Sequence, residues 1–229
     1  MAYQIRLSPQ EAWRRRLYLP AYRVAEAARY TGTNAQTVAY WHYRGGALGP
    51  ALPGKQHRVP LSWLQLVEVA FVATFRGLGV PLQRIRRARE YLAQIFNTEH
   101  PFAQLDLKTE GHHILMGIIE LEPEMPVDAL IIADMAGQTA WQPLVADRFA
   151  QFDYEQNLAL VWHVAGRQSR IKMDPRISFG APIIRGIPTW ALKGRFVAGE
   201  TVEDISEDFA LEASEVVEAL EFEGVEVAA

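Results

Sequence analysis

Two adjacent histidines, His112 and His113, and the carboxylate pair Asp204 and Asp208 are the first places to look for chemistry in this sequence. Neither constellation supports catalysis. His112 and His113 fall in a predicted strand, where neighbouring residues point to opposite faces, so the two rings cannot close on one ion. Asp204 and Asp208 lie four residues apart on the solvated face of a predicted helix, with no His or Lys beside them to share acid-base work. The chain has no cysteine, which excludes disulfides and thiolate zinc sites and suits a reducing compartment. No glycine-rich phosphate loop, nucleophile elbow or His-Glu-x-x-His motif occurs. The expectation is a protein that is not an enzyme, needs no metal or cofactor, and works by recognition.

Charge is what this sequence offers a partner. Residues 1–95 carry 14 Lys and Arg against 4 Asp and Glu, a net of +10, whereas residues 96–229 carry 9 against 23, a net of −14. A polyanion suits the first part and a basic surface the second. Lys55, His57 and Arg58 stand together where they could meet the phosphates of a nucleic acid. Residues 198–229 hold eleven carboxylates and no Lys or Arg, a surface that repels nucleic acid and attracts a basic groove. No segment approaches the ~20 apolar residues of a membrane span, and the region around Arg6, Arg14, Arg15 and Arg16 lacks the apolar run of a signal peptide. A cytoplasmic protein without a membrane partner is expected.

The elements that must position these residues read as an α+β chain. Residues 1–19 read as a basic arm. Val24, Ala27 and Ala28 recur at helical spacing up to Gly32, and Asn34 caps a second helix with Val38 and Trp41 as its apolar pair. Residues 44–60 are rich in Gly and Pro and hold no helix. Ser62 opens a strongly apolar helix that ends at Gly77-Leu78-Gly79-Val80-Pro81. A helix over about 82–96 follows, carrying Arg84, Arg86, Arg87 and Arg89 on what reads as a solvated face, with Ile85, Leu92 and Ile95 offered to a second copy. Short β-like segments are predicted at 105–108, 112–119, 127–132, 158–164 and 170–173, with a helix near 143–149. Residues 174–188 read as loop, and acidic amphipathic helices close the chain at 202–209 and 213–223, the first capped by Thr201.

The order of helix, glycine turn, helix, hairpin-like loop, helix is that of a winged helix-turn-helix. Tyr22-Arg23-Val24-Ala25-Glu26-Ala27-Ala28, Thr31-Gly32, Thr37-Val38 and Tyr40-Trp41 resemble the first two helices of the MerR type. His57-Arg58-Val59-Pro60-Leu61-Ser62 and Gly77-Leu78-Gly79-Val80-Pro81-Leu82 with Ile85 resemble its wing end and its next turn. The resemblance covers about 22–92 and implies operator DNA as partner, read by a homodimer whose second helix enters the major groove. Gln36 and Ala39 occupy positions where the MerR pattern usually offers basic residues; Gln36 can still contact adenine or phosphate, and Ala39 carries no charge. The DNA-contact candidates are Asn34, Gln36, Thr37, Tyr40, Arg44, Lys55 and Arg58.

Met173-Asp174-Pro175-Arg176-Ile177-Ser178-Phe179-Gly180-Ala181-Pro182, Gly186-Ile187-Pro188-Thr189, Ala198-Gly199-Glu200-Thr201-Val202-Glu203-Asp204-Ile205 and Val216-Val217-Glu218-Ala219-Leu220 resemble, over about 170–224, a small helical module of VapB-like antitoxins. Such modules often follow a MerR-like domain and a β-rich linker. The resemblance implies a PIN-like ribonuclease toxin as second partner. Asp174, Phe179, Trp190, Glu203, Asp204 and Asp208 are the candidates for that contact. The expected organisation is a DNA-binding domain at 1–96, a β-rich segment at 97–169 and an acidic toxin-binding module at 170–229. The alternative is a stand-alone MerR-like regulator whose C-terminal domain binds a ligand or another protein.

Overall fold

The computed structural model describes residues 9–43, 50–52, 54–55, 58–104, 131–133, 139–141 and 143–227. Its elements, in chain order, are helices α1 (Pro9–Arg16), α2 (Val24–Thr31), α3 (Ala35–Tyr43), α4 (Trp63–Gly77), α5 (Leu82–Ile95) and α6 (Pro101–Gln104). Strands β1 (Ile131–Ala133) and β2 (Thr139–Trp141) then precede α7 (Pro143–Ala150), and strands β3 (Phe152–Glu155), β4 (Leu158–Trp162), β5 (Lys172–Met173), β6 (Pro182–Ile184) and β7 (Ile187–Pro188) follow. Helices α8 (Thr189–Val197), α9 (Val202–Phe209) and α10 (Ala213–Phe222) end the chain. β1 and β2 pair antiparallel, Ile132 against Ala140. The other strands form a five-stranded antiparallel sheet in the order β3-β4-β5-β6-β7, so the α+β class holds. The chain divides into two compact units, residues 1–159 and 160–229.

The first unit is organised on α4. Its sequence Trp-Leu-Gln-Leu-Val-Glu-Val-Ala-Phe-Val is apolar all round, which a helix sustains only when other elements cover every side. Trp63, Leu64, Leu66, Val67, Val69, Ala70, Phe71 and Val72 are all buried. The start is fixed by reciprocal capping: Gln65 N–H donates to Ser62 Oγ at 3.3 Å and Ser62 N–H to Gln65 Oε1 at 2.9 Å. Phe71 stacks on Phe152 with ring centroids 5.3 Å apart, and the Trp63 indole donates to the Ala159 carbonyl at 2.8 Å.

The helix-turn-helix is built as its sequence predicts. Gly32 closes α2 in the left-handed conformation, φ 67°, and Thr33 N–H returns to the Ala28 carbonyl at 3.0 Å; glycine adopts that sign of φ without a Cβ clash. Ala27, Ala28, Val38 and Trp41 are buried, which fixes α3 on α2. An antiparallel bridge joins Tyr22 to Leu61, tying the chain just before α2 to the residue that follows the 44–60 segment.

Three expectations need correction here. The described part of the basic arm is helix α1, with Pro9 in the first helical position, where its missing N–H costs nothing, and Leu17 buried just beyond it. Arg86 and Arg89 do not lie on a solvated face: both are buried. Arg89 Nε donates to Glu68 Oε2 at 2.8 Å, Glu68 Oε1 accepts from Phe102 N–H at 2.8 Å, and Arg86 Nε donates to the Pro50 carbonyl at 3.1 Å. Ile85 and Leu92, offered to a dimer partner, are core residues, and only Ile95 of that trio is exposed. The expected strands at 105–108 and 112–119, with His112 and His113, lie outside the described residues.

In the second unit, Ile171, Ile184, Leu192, Ile205, Leu211, Val216, Ala219 and Leu220 form one apolar cluster against which Val202 and Phe209 pack. The acidic tail is therefore a packed element. Thr201 Oγ accepts from Asp204 N–H at 3.1 Å to cap α9. The segment read as loop holds β5, β6, β7 and a 3-10 turn at Ser178–Gly180, with Arg185 and Gly186, both at positive φ, turning β6 into β7. Helix α8 follows at once.

Candidate functional site

On α3 the apolar face holds Val38, Trp41 and His42 inward, and the opposite face carries Gln36, Tyr40 and Tyr43, all exposed. Positions i, i+4 and i+7 share one side of a helix. Asn34 spends its side-chain oxygen on the helix start, accepting from Thr37 N–H at 2.7 Å, and its exposed amide is the donating end of the side chain. Thr37 is half-buried beside the exposed row. Arg44 and His57 lie outside the described residues. Tyr43 was not among the candidates, although its spacing from Gln36 is the signal that finds it.

Beside this face is a cleft of about 240 Å³ lined by Arg23, Val24, Tyr43, Lys55, Arg58, Val59 and Pro60. Lys55 Nζ sits 5.4 Å from the Tyr43 ring centroid and donates to the Val59 carbonyl. Arg58 is exposed and holds a left-handed φ of 65°. Arg23 precedes α2, its own N–H taken by Glu26 Oε2 at 2.6 Å. Three cations around one opening beside an exposed helix face favour a phosphate-bearing ligand, since hydrogen bonds to a charged acceptor are the strong ones. Arg23 was not among the sequence candidates either, although it stands inside the Tyr22–Ala28 motif.

The second set of candidates divides by environment. Phe179 is 75% exposed and Trp190 62%, so neither is core. Ser178 and Phe179 both have positive φ, 46° and 56°, a conformation costly for residues bearing a Cβ. Asp174 is buried. Its carboxylate accepts from Arg176 N–H at 2.9 Å and from Arg176 Nη2 at 2.7 Å, which makes it a brace of the loop. Glu203 is exposed. Asp204 closes the Thr201 cap, and the Thr201 hydroxyl and N–H hold its carboxyl below the usual range. Asp208 accepts from Arg195 Nη2 at 2.5 Å, and Glu200 accepts from Arg195 Nε at 2.7 Å.

Among the described residues no group of three or more His, Asp or Glu could hold a metal, and no described helix is long and apolar enough to cross a membrane.

Comparisons with known proteins fall on the same two regions. Residues 22–92 match the model of the MerR HTH family regulatory proteins, and residues 171–222 match a family described as a protein of unknown function, DUF433. A curated Mycobacterium tuberculosis protein described as putative antitoxin VapB45 is 26% identical over 227 residues, covering 90% of this chain and 95% of that one. The crystal structure of Rv2018 from the same organism superposes with a TM-score of 0.75 at 27% identity, covering 90% of this chain and 99% of the other. The N-terminal motifs meet the MerR model and the C-terminal ones fall in a family of unknown function; over nine-tenths of its length the chain is similar to a putative antitoxin, and it carries a MerR-type helix-turn-helix region.

Proposed function

We propose that this chain is the antitoxin of a type II toxin-antitoxin pair, acting by binding and without catalysis. The helix-turn-helix, within residues 1–96, holds operator DNA as a dimer and represses its own promoter. The module at 170–229 binds and silences a PIN-like ribonuclease, and both events take place in the cytoplasm. The observation that carries the reading is the full-length similarity to a putative antitoxin, combined with a +10 N-terminal part and a −14 remainder. On DNA, Gln36, Tyr40 and the amide of Asn34 face the bases, with Thr37 beside them, and Lys55, Arg58 and Arg44 meet the phosphates. On the toxin, Phe179 and Trp190 are the apolar anchors, Glu203 and its neighbours on α9 supply charge, and Asp174 shapes the loop that carries Phe179.

The experiment is titration of the full chain against its own promoter at 50 and 200 mM salt, and against the product of the neighbouring reading frame. The reading expects promoter affinity to fall steeply with salt, as counterion release requires, and expects a complex with a small nuclease. DNA binding without a nuclease complex would leave a stand-alone regulator; no promoter binding at low salt would remove the regulator as well.

A further inference from the structure

Helix α8 presents a face that nothing among the described residues of its own unit accounts for. Helical periodicity sets Trp190, Gly194 and Val197 on one side, opposite the buried Leu192. Trp190 is 62% exposed and Val197 70%. Gly194 between them is exposed as well, and a Cβ placed there meets nothing within 4 Å. Glycine inside a helix is less stable than alanine. Here neither a positive φ nor crowding among the described residues calls for it. An interior glycine flanked by large exposed apolar residues makes sense where another backbone comes close, because the distance between packed helices is set by the side chains at the contact.

The start of α8 is fixed to the sheet: the β6-β7 ladder pairs Ile184 with Ile187 and Ile183 with Pro188, and Thr189 Oγ donates to the Pro182 carbonyl at 3.4 Å.

We propose that this face receives a helix of the partner ribonuclease, crossing α8 at Gly194 between Trp190 and Val197 and bordered by basic residues. The proposal rests on the antitoxin reading and names the element of that partner which docks. Charge selects the occupant. One border of the face holds Glu223, whose carboxylate accepts from the Thr189 hydroxyl at 2.6 Å and whose carbonyl accepts from Lys193 at 2.9 Å. The other holds Glu200 and Asp208 around Arg195. Farther out, Glu203, Glu207 and Glu221 are exposed, and residues 198–229 supply no cation at all. Lys193 and Arg195 stand among these carboxylates, so the borders themselves carry both signs. Residues 160–229 as a whole hold 7 Lys and Arg against 12 Asp and Glu, a net of −5; a second copy docking through the same face would set two such units against each other, whereas a basic partner is drawn to them.

The test uses the full chain and the nuclease encoded beside it, titrated by calorimetry, with Gly194→Leu, Gly194→Ala and Trp190→Ala compared with wild type. The proposal expects Gly194→Leu and Trp190→Ala to weaken the complex at least tenfold with helical content unchanged. Gly194→Ala should raise the Tm and still weaken binding, which separates docking from folding. A wild-type chain that binds the nuclease, with all three variants matching it, overturns this inference and leaves the antitoxin reading standing. A wild-type chain that fails to bind overturns both. Loss of a homodimer in sedimentation by these variants, at unchanged nuclease affinity, makes a second copy the occupant and overturns the inference.

Discussion

Arg58 and Gln36 perform different tasks on the proposed DNA surface, and mutation separates them. Arg58 is an exposed cation at the edge of the cleft, so Arg58→Ala should weaken binding to every sequence alike and reduce the salt slope by about one charge. Gln36 projects from the exposed face of α3, and Gln36→Ala should remove roughly 1–3 kcal/mol of discrimination between the promoter and a scrambled duplex. Fluorescence anisotropy at several salt concentrations reads both; equal losses on both duplexes for Gln36→Ala would place it on a phosphate. His100 gives a prediction of a different kind. Burial first, then the charges of Arg89 and His42, push its pKa down from 6.5 to about 4. The folded chain thus binds that proton less tightly than the unfolded chain does. The stabilisation is complete above pH 6.5 and is lost as pH falls toward 4, by about 3 kcal/mol at 1.36 kcal/mol per pKa unit. His100→Gln should flatten the fall in urea stability across that window, and an unchanged slope would refute the assignment. Glu68 and Arg89 show why some residues cannot be read in advance. An arginine row at helical spacing looks solvated until its buried carboxylate is found on another helix, and Asp174 looks available until Arg176 is seen to hold it.

At the scale of elements, what was legible followed the local signals. Thr201 with Asp204 gives the start of α9, Gly32 the end of α2, and Ser62 the start of α4, because each is a hydrogen bond closed within four residues. Helix α8 was not legible, and the residues that hide it are those on its docking face: Trp190 and Val197 break the apolar periodicity by being exposed, and Gly194 lowers the propensity. Helix α1 was obscured by Arg14, Arg15 and Arg16, with Leu17 as its one described core anchor. Two capping predictions follow. Thr201→Ala should destabilise the second unit by about 1 kcal/mol. Ala210, which ends α9 at φ 51°, is a left-handed alanine, so Ala210→Gly should stabilise that unit by roughly 0.5–1 kcal/mol. Thermal unfolding followed by circular dichroism measures both shifts; a loss of stability in Ala210→Gly would contradict the conformational argument.

For the whole molecule, polarity of charge along the chain remains the organising feature, and the structure sharpens which carboxylates are available. Asp204 is committed to a cap and Asp208 to Arg195, so reversing them would disturb the fold along with any partner. Glu203 and Glu207, one turn apart and exposed on α9, are the better pair. The double change Glu203→Lys, Glu207→Lys should slow association with a basic nuclease several-fold at low salt, leave dissociation nearly unchanged, and lose its effect as salt rises. Stopped-flow mixing separates the rates, and a change confined to dissociation would argue for direct contact in place of steering. The central claim is that one chain silences a ribonuclease, and the most direct measurement is RNA cleavage by the neighbouring nuclease titrated with the purified full chain. The account predicts cleavage falling to nothing at a fixed stoichiometric ratio; undiminished cleavage in the presence of a saturating excess of the chain would contradict it.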